Sequence, residues 1–404
     1  MKNLEKYNVI CLSNQLWDFP NWTNKKHVMS RLAKLGHKVL FVDPPINTGF
    51  VFFRQIKRGL WNMQRFINRY VKDFDGNVLV FTPLNLVPVS ALTSLIHISR
   101  IRYLAKRHFD SSNKTILWVY HVQIPQIEKY IKYLNYDLLV YDCVDNYEAF
   151  PEQGSFYRAS SNISETLQNE DYLAAKADLV FASAPGLVEK LKKFNNKVYF
   201  TPNVGNYKKF KNAQKYKYHL PSDIRNISSP RIGFIGALDD YKFDYKLFKS
   251  LVETYPDYSF VLIGSMAIKD KNADLHSLGL TGYKNVHLLG SKPYDEIEKY
   301  MGGFDVFIIP YVLNDYTVGG CFPVKFHEGL AAGVPVVVTD LPAYYPFDEV
   351  CYISKNDTDF VENIKKALSD NSAQKMRERQ IVAKENDWDG KVQRLLGYIQ
   401  TSLS

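Results

Sequence analysis

Apolar residues in this chain fall mostly in short continuous blocks instead of alternating with polar ones. Blocks at 7–12, 38–42, 78–81, 115–120, 137–141, 178–182 and 198–201 read as strands buried on both faces. Helical patterns lie between them, for example over 25–35, where Gly36 is placed to take the left-handed conformation that ends a helix. A second series of blocks follows at 231–235, 259–263, 286–288, 306–309 and 336–338. Strands alternating with helices predict parallel sheets covered on both faces. Between the two series, residues 206–230 turn polar and basic (NYKKFKNAQKYKYHLPSDIRNISSP), the chemistry of a linker. The expected organisation is an α/β domain over 1–205, a linker over 206–230, a second α/β domain over 231–375 and C-terminal helices over 376–404.

Composition agrees with that picture. A chain of 404 residues has room for two cores, and 46% hydrophobic with 23% charged residues is the balance of an ordered globular protein. No apolar run approaches the roughly 18 residues of a membrane span, and the first residues, MKNLEKYNVICLSNQ, lack the apolar stretch of a secretory signal. Cys11, Cys143, Cys321 and Cys351 are scattered, with no C-x-x-C. That argues against a disulfide framework or a zinc site and for a reducing compartment, so the cytoplasm is the expected location.

The net charge of +9 has a local source. From Phe50 to Lys72 the chain reads FVFFRQIKRGLWNMQRFINRYVK, with six basic residues and no acidic one. At helical spacing Phe53, Ile56, Leu60, Met63, Ile67 and Tyr70 share one face, and Arg54, Arg58, Arg65, Arg69 and Lys72 cluster opposite. The functional reading is an interfacial helix on an anionic bilayer, each basic residue worth about 1 kcal/mol there. A core helix with a wet basic face is the competing reading. No recognised nucleic-acid motif accompanies the charge, so no nucleic-acid partner is expected.

The richest stretch runs from Pro323 to Pro342, PVKFHEGLAAGVPVVVTDLP. It reads as a helix entered through Pro323 and ended by Gly333 and Pro335, then a buried strand. Lys325 and Glu328, three residues apart, share one face near the helix N-terminus. That end offers free N–H groups and partial positive charge to a phosphate. Lys325 would add a full cation, and Glu328 could accept hydrogen bonds from a ribose diol. An ordinary Lys–Glu surface ion pair is the plain alternative.

The string K-x-x-E-x-x-A-x-G-x-P-V-V resembles the signature helix of GT-B glycosyltransferases, in particular family four, the "group 1" transferases. TPNVGNYKKF at 201–210 is similar to the segment that leaves their N-terminal domain, with Asn203 and Gly205 expected in a tight turn. NVHLLGSKPYDEIEKYMGGFDVFIIPY, ending on Tyr311, resembles the strand, base-contacting loop, helix and strand that lead to the donor site. There Gly290 would let the backbone approach a planar base and Pro293 would fix the loop. In the N-terminal half, WDFPNWTNKKHVMSRLAKLGHKVLFVDPP and LWVYHVQIPQ with LLVYDCVDNYEAFPE look like the subgroup acting in bacterial surface-polysaccharide assembly.

The resemblance implies two Rossmann-like domains facing across a cleft, with a terminal helix around Trp388, Val392, Leu395, Leu396 and Ile399 crossing back to the N-domain. It implies a nucleotide-sugar donor, UDP-sugar first, without another cofactor or metal, and a glycan or polyprenyl-linked acceptor. Donor contacts would come from Gly236 and Lys242 in the loop GFIGALDDYK, with the diphosphate at the next helix's N-terminus, and from Gly264, Gly290, Tyr311, Lys325 and Glu328. One departure stands out: the family's second Glu, eight residues before the helix Glu, is here Gly320, and Asp315 is the nearest carboxylate behind it. In the N-domain, Asp145 is the leading catalytic candidate, with Asp142 and His121 beside it. A base is needed only if the reaction inverts the anomeric centre; in a retaining reaction the leaving phosphate can take the proton. A nucleotide-sugar epimerase or hydrolase on the same fold, or a non-enzymatic basic binding protein, are the alternatives.

Overall fold

The computed structural model describes residues 5–18, 22–47, 69–85, 91–149, 163–264, 275–276 and 279–404. The N-terminal half gives, in chain order, β1 (Asn8–Leu12), α1 (Asn24–Lys34), β2 (Lys38–Val42), β3 (Ile46–Asn47), β4 (Tyr70–Asp73), β5 (Val78–Phe81) and β6 (Leu84–Asn85). It continues with α2 (Ala91–His108), β7 (Thr115–Val119), α3 (Ile127–Tyr133), β8 (Leu138–Cys143), α4 (Ile163–Lys176), β9 (Leu179–Ala182), α5 (Pro185–Leu191) and β10 (Val198–Phe200). Its main sheet has the order β10-β9-β8-β7-β1-β2-β5-β4, parallel throughout except for β4, which runs antiparallel to β5. The apolar blocks of the sequence coincide with these strands because a parallel sheet covered on both faces requires apolar side chains at every position. Helix α1 ends as its pattern predicts, with Gly36 at φ +89°.

The C-terminal half gives α6 (Tyr207–Phe210), α7 (Ser222–Arg225), β11 (Arg231–Ile235), α8 (Tyr245–Thr254), β12 (Ser259–Ile263), β13 (Val286–Leu288), α9 (Ile297–Met301) and β14 (Val306–Ile309). It ends with α10 (Asp315–Gly320), α11 (Val324–Ala331), β15 (Val336–Thr339), β16 (Tyr352–Ser354), α12 (Asp357–Ser369), α13 (Ala373–Glu385) and α14 (Trp388–Leu403). Its sheet is wholly parallel in the order β13-β12-β11-β14-β15-β16. In each sheet the first strand lies inside, between strands that precede and follow the reversal of order. Open α/β sheets bind ligands outside the strand carboxyl ends at such a switch point.

One face of the N-terminal sheet is covered by α1 and by α14, whose Trp388, Val392, Leu395, Leu396 and Ile399 join its core. The C-terminal helix therefore does cross back, and Arg31 of α1 holds it at 2.7 Å through Asp389. Residues 206–230 are not an open tether. Phe210, Ala213, Leu220, Ile224 and Ile227 are buried in the C-terminal core, at a spacing the polar composition hides. The basic helix expected from Phe50 to Lys72 lies outside the described residues over 50–68. Its last residues, Tyr70 to Lys72, belong instead to edge strand β4. Among the described residues, no helix is long and apolar enough to cross a membrane.

Candidate functional site

The carboxyl edge of the C-terminal sheet carries three glycines in hydrogen-bonded succession. Gly236 N–H donates to the Ile263 carbonyl at 2.8 Å, and Gly264 N–H donates to the Gly290 carbonyl at 3.0 Å. Gly236 and Gly264 sit at φ +155° and +152°, a conformation side chains rarely adopt. Space is also lacking. A Cβ on Gly264 would lie 1.8 Å from the Gly236 carbonyl oxygen, and one on Gly236 would lie 1.9 Å from Lys325 Nζ. The Lys325 ammonium thus rests directly against the backbone at the end of β11, with the Phe234 and Tyr311 rings 4.7 and 5.5 Å away.

Helix α11, which carries Lys325 and Glu328, begins one residue later than expected, with Pro323 as its cap in extended conformation. No side chain caps it and its first turn holds no acid, so its N–H groups remain available to an anion. The two motif residues do not pair with each other within ion-pair distance. Lys325 turns toward Gly236, while Glu328 Oε1 accepts from the Tyr294 hydroxyl at 3.0 Å. Burial, with the Lys242 ammonium nearby, pushes Lys325 down to about 8. Burial pushes Glu328 up to about 7, against the opposing pull of the Tyr294 hydrogen bond and of Lys325.

Lys242 completes this edge, its Nζ lying 4.9 Å from the Tyr316 ring centre and 5.3 Å from that of Tyr241. Among the described residues, neither Lys242 nor Lys325 has a carboxylate within ion-pair distance. The Lys242 charge works against that of Lys325, so an anion beside both and the open end of α11 would relieve the repulsion. The helix after β11, in contrast, is not open. Asp244 caps α8, its Oδ1 accepting from the N–H groups of Lys246 and Leu247 at 3.0 and 2.9 Å. A diphosphate expected at that helix would meet a carboxylate, which leaves the uncapped end of α11 beside Gly236 as the candidate anion position.

Across the cleft, Asp145 follows β8, and its Oδ1 accepts from the Tyr316 hydroxyl of α10 at 3.2 Å. Tyr316 thereby lies between the N-terminal carboxylate and the Lys242 cation. Asp142 is an interior group: it is buried, and its Oδ2 accepts from the Trp118 indole N–H at 3.2 Å. His121 Nδ1 accepts from Gln123 N–H at 3.2 Å, and burial with nearby Lys25 pushes its pKa down to about 3. A neutral imidazole with Nδ1 occupied as acceptor carries its proton on Nε2, so it can donate a hydrogen bond but is a poor base.

Gly320 has a steric cause. A Cβ there would lie 2.4 Å from Asn146 Cβ, so α10 meets the N-terminal domain too closely for any side chain. Asp315 is exposed in the first turn of α10 and does not replace the missing carboxylate. Asn203 and Gly205 do not form a left-handed tight turn. Asn203 Nδ2 donates to the Phe322 carbonyl at 2.8 Å, and a Cβ on Gly205 would lie 2.8 Å from His327 Cβ, so both serve close packing against α11. Sequence reasoning missed Tyr294, Tyr316, Trp22 and Lys25. Trp22 of the N-domain stacks on Tyr294 at 6.3 Å and 15°.

A family model described as "Glycosyl transferases group 1" matches residues 229–370. Residues 229–370 are therefore similar to a group 1 glycosyltransferase domain. The matched span holds Gly236, Lys242, Gly264, Gly290, Tyr311, Lys325 and Glu328, and leaves Asp145 and His121 outside. Over 278 residues the chain is 28% identical to a Bacillus subtilis (strain 168) protein provisionally named teichuronic acid biosynthesis glycosyltransferase TuaH, covering 65% of this chain and 67% of that one. The fold is similar to that of sucrose-phosphate synthase from Thermosynechococcus elongatus, with TM-score 0.68 and 12% identity over 98% of both chains. It is also similar to HepE of Anabaena in complex with UDP and glucose, with TM-score 0.66 and 15% identity over 97% of this chain and 99% of that one. This chain is a glycosyltransferase of GT-B fold.

Proposed function

We propose that this glycosyltransferase moves a sugar from a UDP-sugar to a glycan or polyprenyl-linked glycan in bacterial surface-polysaccharide synthesis, with no cofactor besides the donor. The observation that carries the reading is the pair of cations, Lys242 and Lys325, set beside the open N-terminus of α11 without a carboxylate in ion-pair distance among the described residues. Glycosyl transfer breaks the bond between the anomeric carbon and the diphosphate through an oxocarbenium-like state, leaving negative charge on the phosphate oxygens. Lys325, Lys242 and the N–H groups of α11 would stabilise that charge, and Glu328 would accept from the ribose hydroxyls. Asp145, held by Tyr316, would orient or deprotonate the acceptor hydroxyl. His121 would act through its Nε2–H as a donor to the acceptor.

The surface-polysaccharide role draws on the name of the Bacillus relative, and the choice of UDP on the ligand of the Anabaena structure. The proposed working place is the inner face of the cell membrane, with the basic segment from Phe50 to Lys72 contributing attraction. The test is a thermal-shift panel of UDP-, GDP- and dTDP-sugars, followed by incubation of the best donor with lipid-linked acceptors. UDP-sugar stabilisation that Lys325→Ala abolishes, with sugar appearing on the acceptor, supports the reading. Release of free sugar, or epimerised donor with acceptor ignored, would replace transfer with the hydrolase or epimerase alternative.

A further inference from the structure

Helix α2 is apolar on two sides, which a surface helix of an isolated soluble domain has no reason to be. Its inner side places Ile98, Ile101 and Leu104 in the N-terminal core, and His97 fixes it to α3 through the Tyr130 hydroxyl at 3.2 Å. Its outer side exposes Leu92, Leu95, Ile96 and Tyr103, with Leu92 at 68% and Ile96 at 59% of full exposure. Scattered exposed apolar residues mean little, but here they form one contiguous patch. A shallow hollow of about 530 Å³, lined by Leu95, Ile96, Ser99, Arg100 and Tyr103, lies along it.

The charge on this helix is equally one-sided. Between Ala91 and His108 there is no acidic residue, and Arg100, Arg102, Lys106 and Arg107 are all exposed. Arg100 and Arg107 flank the Tyr103 ring at 5.0 and 5.6 Å, and Arg100 Nε also donates to the Tyr70 hydroxyl of edge strand β4 at 2.9 Å. The first half of the outer face is therefore apolar and the second half cationic with interleaved tyrosines. Helix α2 follows β6 and returns to the start of β7, so its apolar turns lie at the carboxyl rim of the sheet, the rim that also carries Asp145.

We propose that the outer face of α2 docks on an anionic lipid surface. Leu92, Leu95 and Ile96 enter the acyl boundary, and Arg100, Arg102, Lys106 and Arg107 meet lipid phosphates. Apolar insertion beside basic residues is the composition that holds a helix in a bilayer interface, and the absence of any acid on the helix suits a negative partner. The placement deepens the lipid-linked acceptor reading above and rests on it for its purpose: a cleft rim resting on the membrane receives an acceptor sugar that cannot leave the surface.

The experiment is flotation of the full chain with phosphatidylcholine vesicles, with and without phosphatidylglycerol, beside calorimetry with UDP. Wild type is expected to float only with the phosphatidylglycerol vesicles. Leu92→Ser combined with Ile96→Ser should cut the floated fraction about tenfold or more with UDP affinity unchanged. Arg102→Gln combined with Arg107→Gln should cut it less and make the remainder less sensitive to salt. Wild type that stays at the bottom, or a serine variant that floats as well as wild type, overturns the proposal. So does a wild-type dimer that the serine pair converts to monomer, since the patch would then serve self-association. Flotation without any UDP binding would overturn the donor reading and leave the docking surface standing.

Discussion

Each of the two sheets has a buried lysine packed beside it whose pKa falls to about 8, and the two lysines are used oppositely. Against the N-terminal sheet, Lys391 of α14 donates to the carbonyls of Thr201 and Pro202 at 2.8 and 3.0 Å, and Asp142 supplies opposing charge. Beside the C-terminal sheet Lys325 meets glycine backbone and aromatic faces, and after burial the largest influence on it is another cation, Lys242. Burial alone therefore does not mark a binding residue. What separates the two is whether the protein itself completes the coordination: Lys391 is satisfied and ties α14 to the sheet, while Lys325, the proposed diphosphate contact, has no carboxylate within ion-pair distance among the described residues.

The sharpest break of this comparison is Lys391→Ala. It should lower stability by about 2–4 kcal/mol, because two buried carbonyls lose a charged donor and Asp142 loses a nearby opposing charge. Denaturant titration measures the loss, and UDP affinity should not change. Lys325→Ala should do the reverse, costing about 1.5–3 kcal/mol of UDP and UDP-sugar binding by calorimetry without lowering the thermal midpoint. If Lys325→Ala destabilises as Lys391→Ala does, the contrast fails.

A smaller effect is expected from pH. Glu328, at about 7, must ionise to accept the ribose hydroxyls well, so affinity for UDP-glucose should rise as pH increases through that value. Lys325, at about 8, loses its charge above that value, so affinity should fall again on the alkaline side. UDP-glucose suits the measurement because its diphosphate is doubly esterified and does not itself titrate in this range. Glu328→Gln should remove the acid limb and keep the alkaline one. Affinity unchanged between pH 6 and 9 would refute both roles.

The smallest change is Tyr294→Phe, worth about 0.5–1.5 kcal/mol in donor binding. The Tyr294 hydroxyl partly offsets the rise that burial imposes on Glu328, so its loss should move the acid limb to higher pH while the alkaline limb stays in place. A uniform loss of affinity with no movement of the limb would mean that Tyr294 only fills space between Trp22 and Phe210.

Much of the scaffold was legible because it is locally written. Strands such as Lys38–Val42, Arg231–Ile235 and Ser259–Ile263 lie where the apolar blocks predict, since each must be apolar on both faces. Strands β4 and β16 escaped notice because they are short edge strands without a fully apolar block. The Lys325–Glu328 helix was legible as a motif, but its neighbours were not. Asp244 reads as an ordinary loop acid until it caps α8, and Tyr294 as a loop aromatic until it reaches Glu328.

By itself, the sequence determined the alternation of strands and helices, the two-sheet architecture and the placing of Lys325 and Glu328 near one helix end. Those depend on residues only a few positions apart. The tertiary structure alone decided which charges are satisfied. Lys391 reaches Thr201 across 190 positions and Tyr316 reaches Asp145 across 171. Lys242 and Lys325, 83 positions apart by their numbers, converge where β11 and α11 meet at the sheet edge. Pairing of buried charges is a matter of ångströms, and the chain settles those distances only when its sheets close.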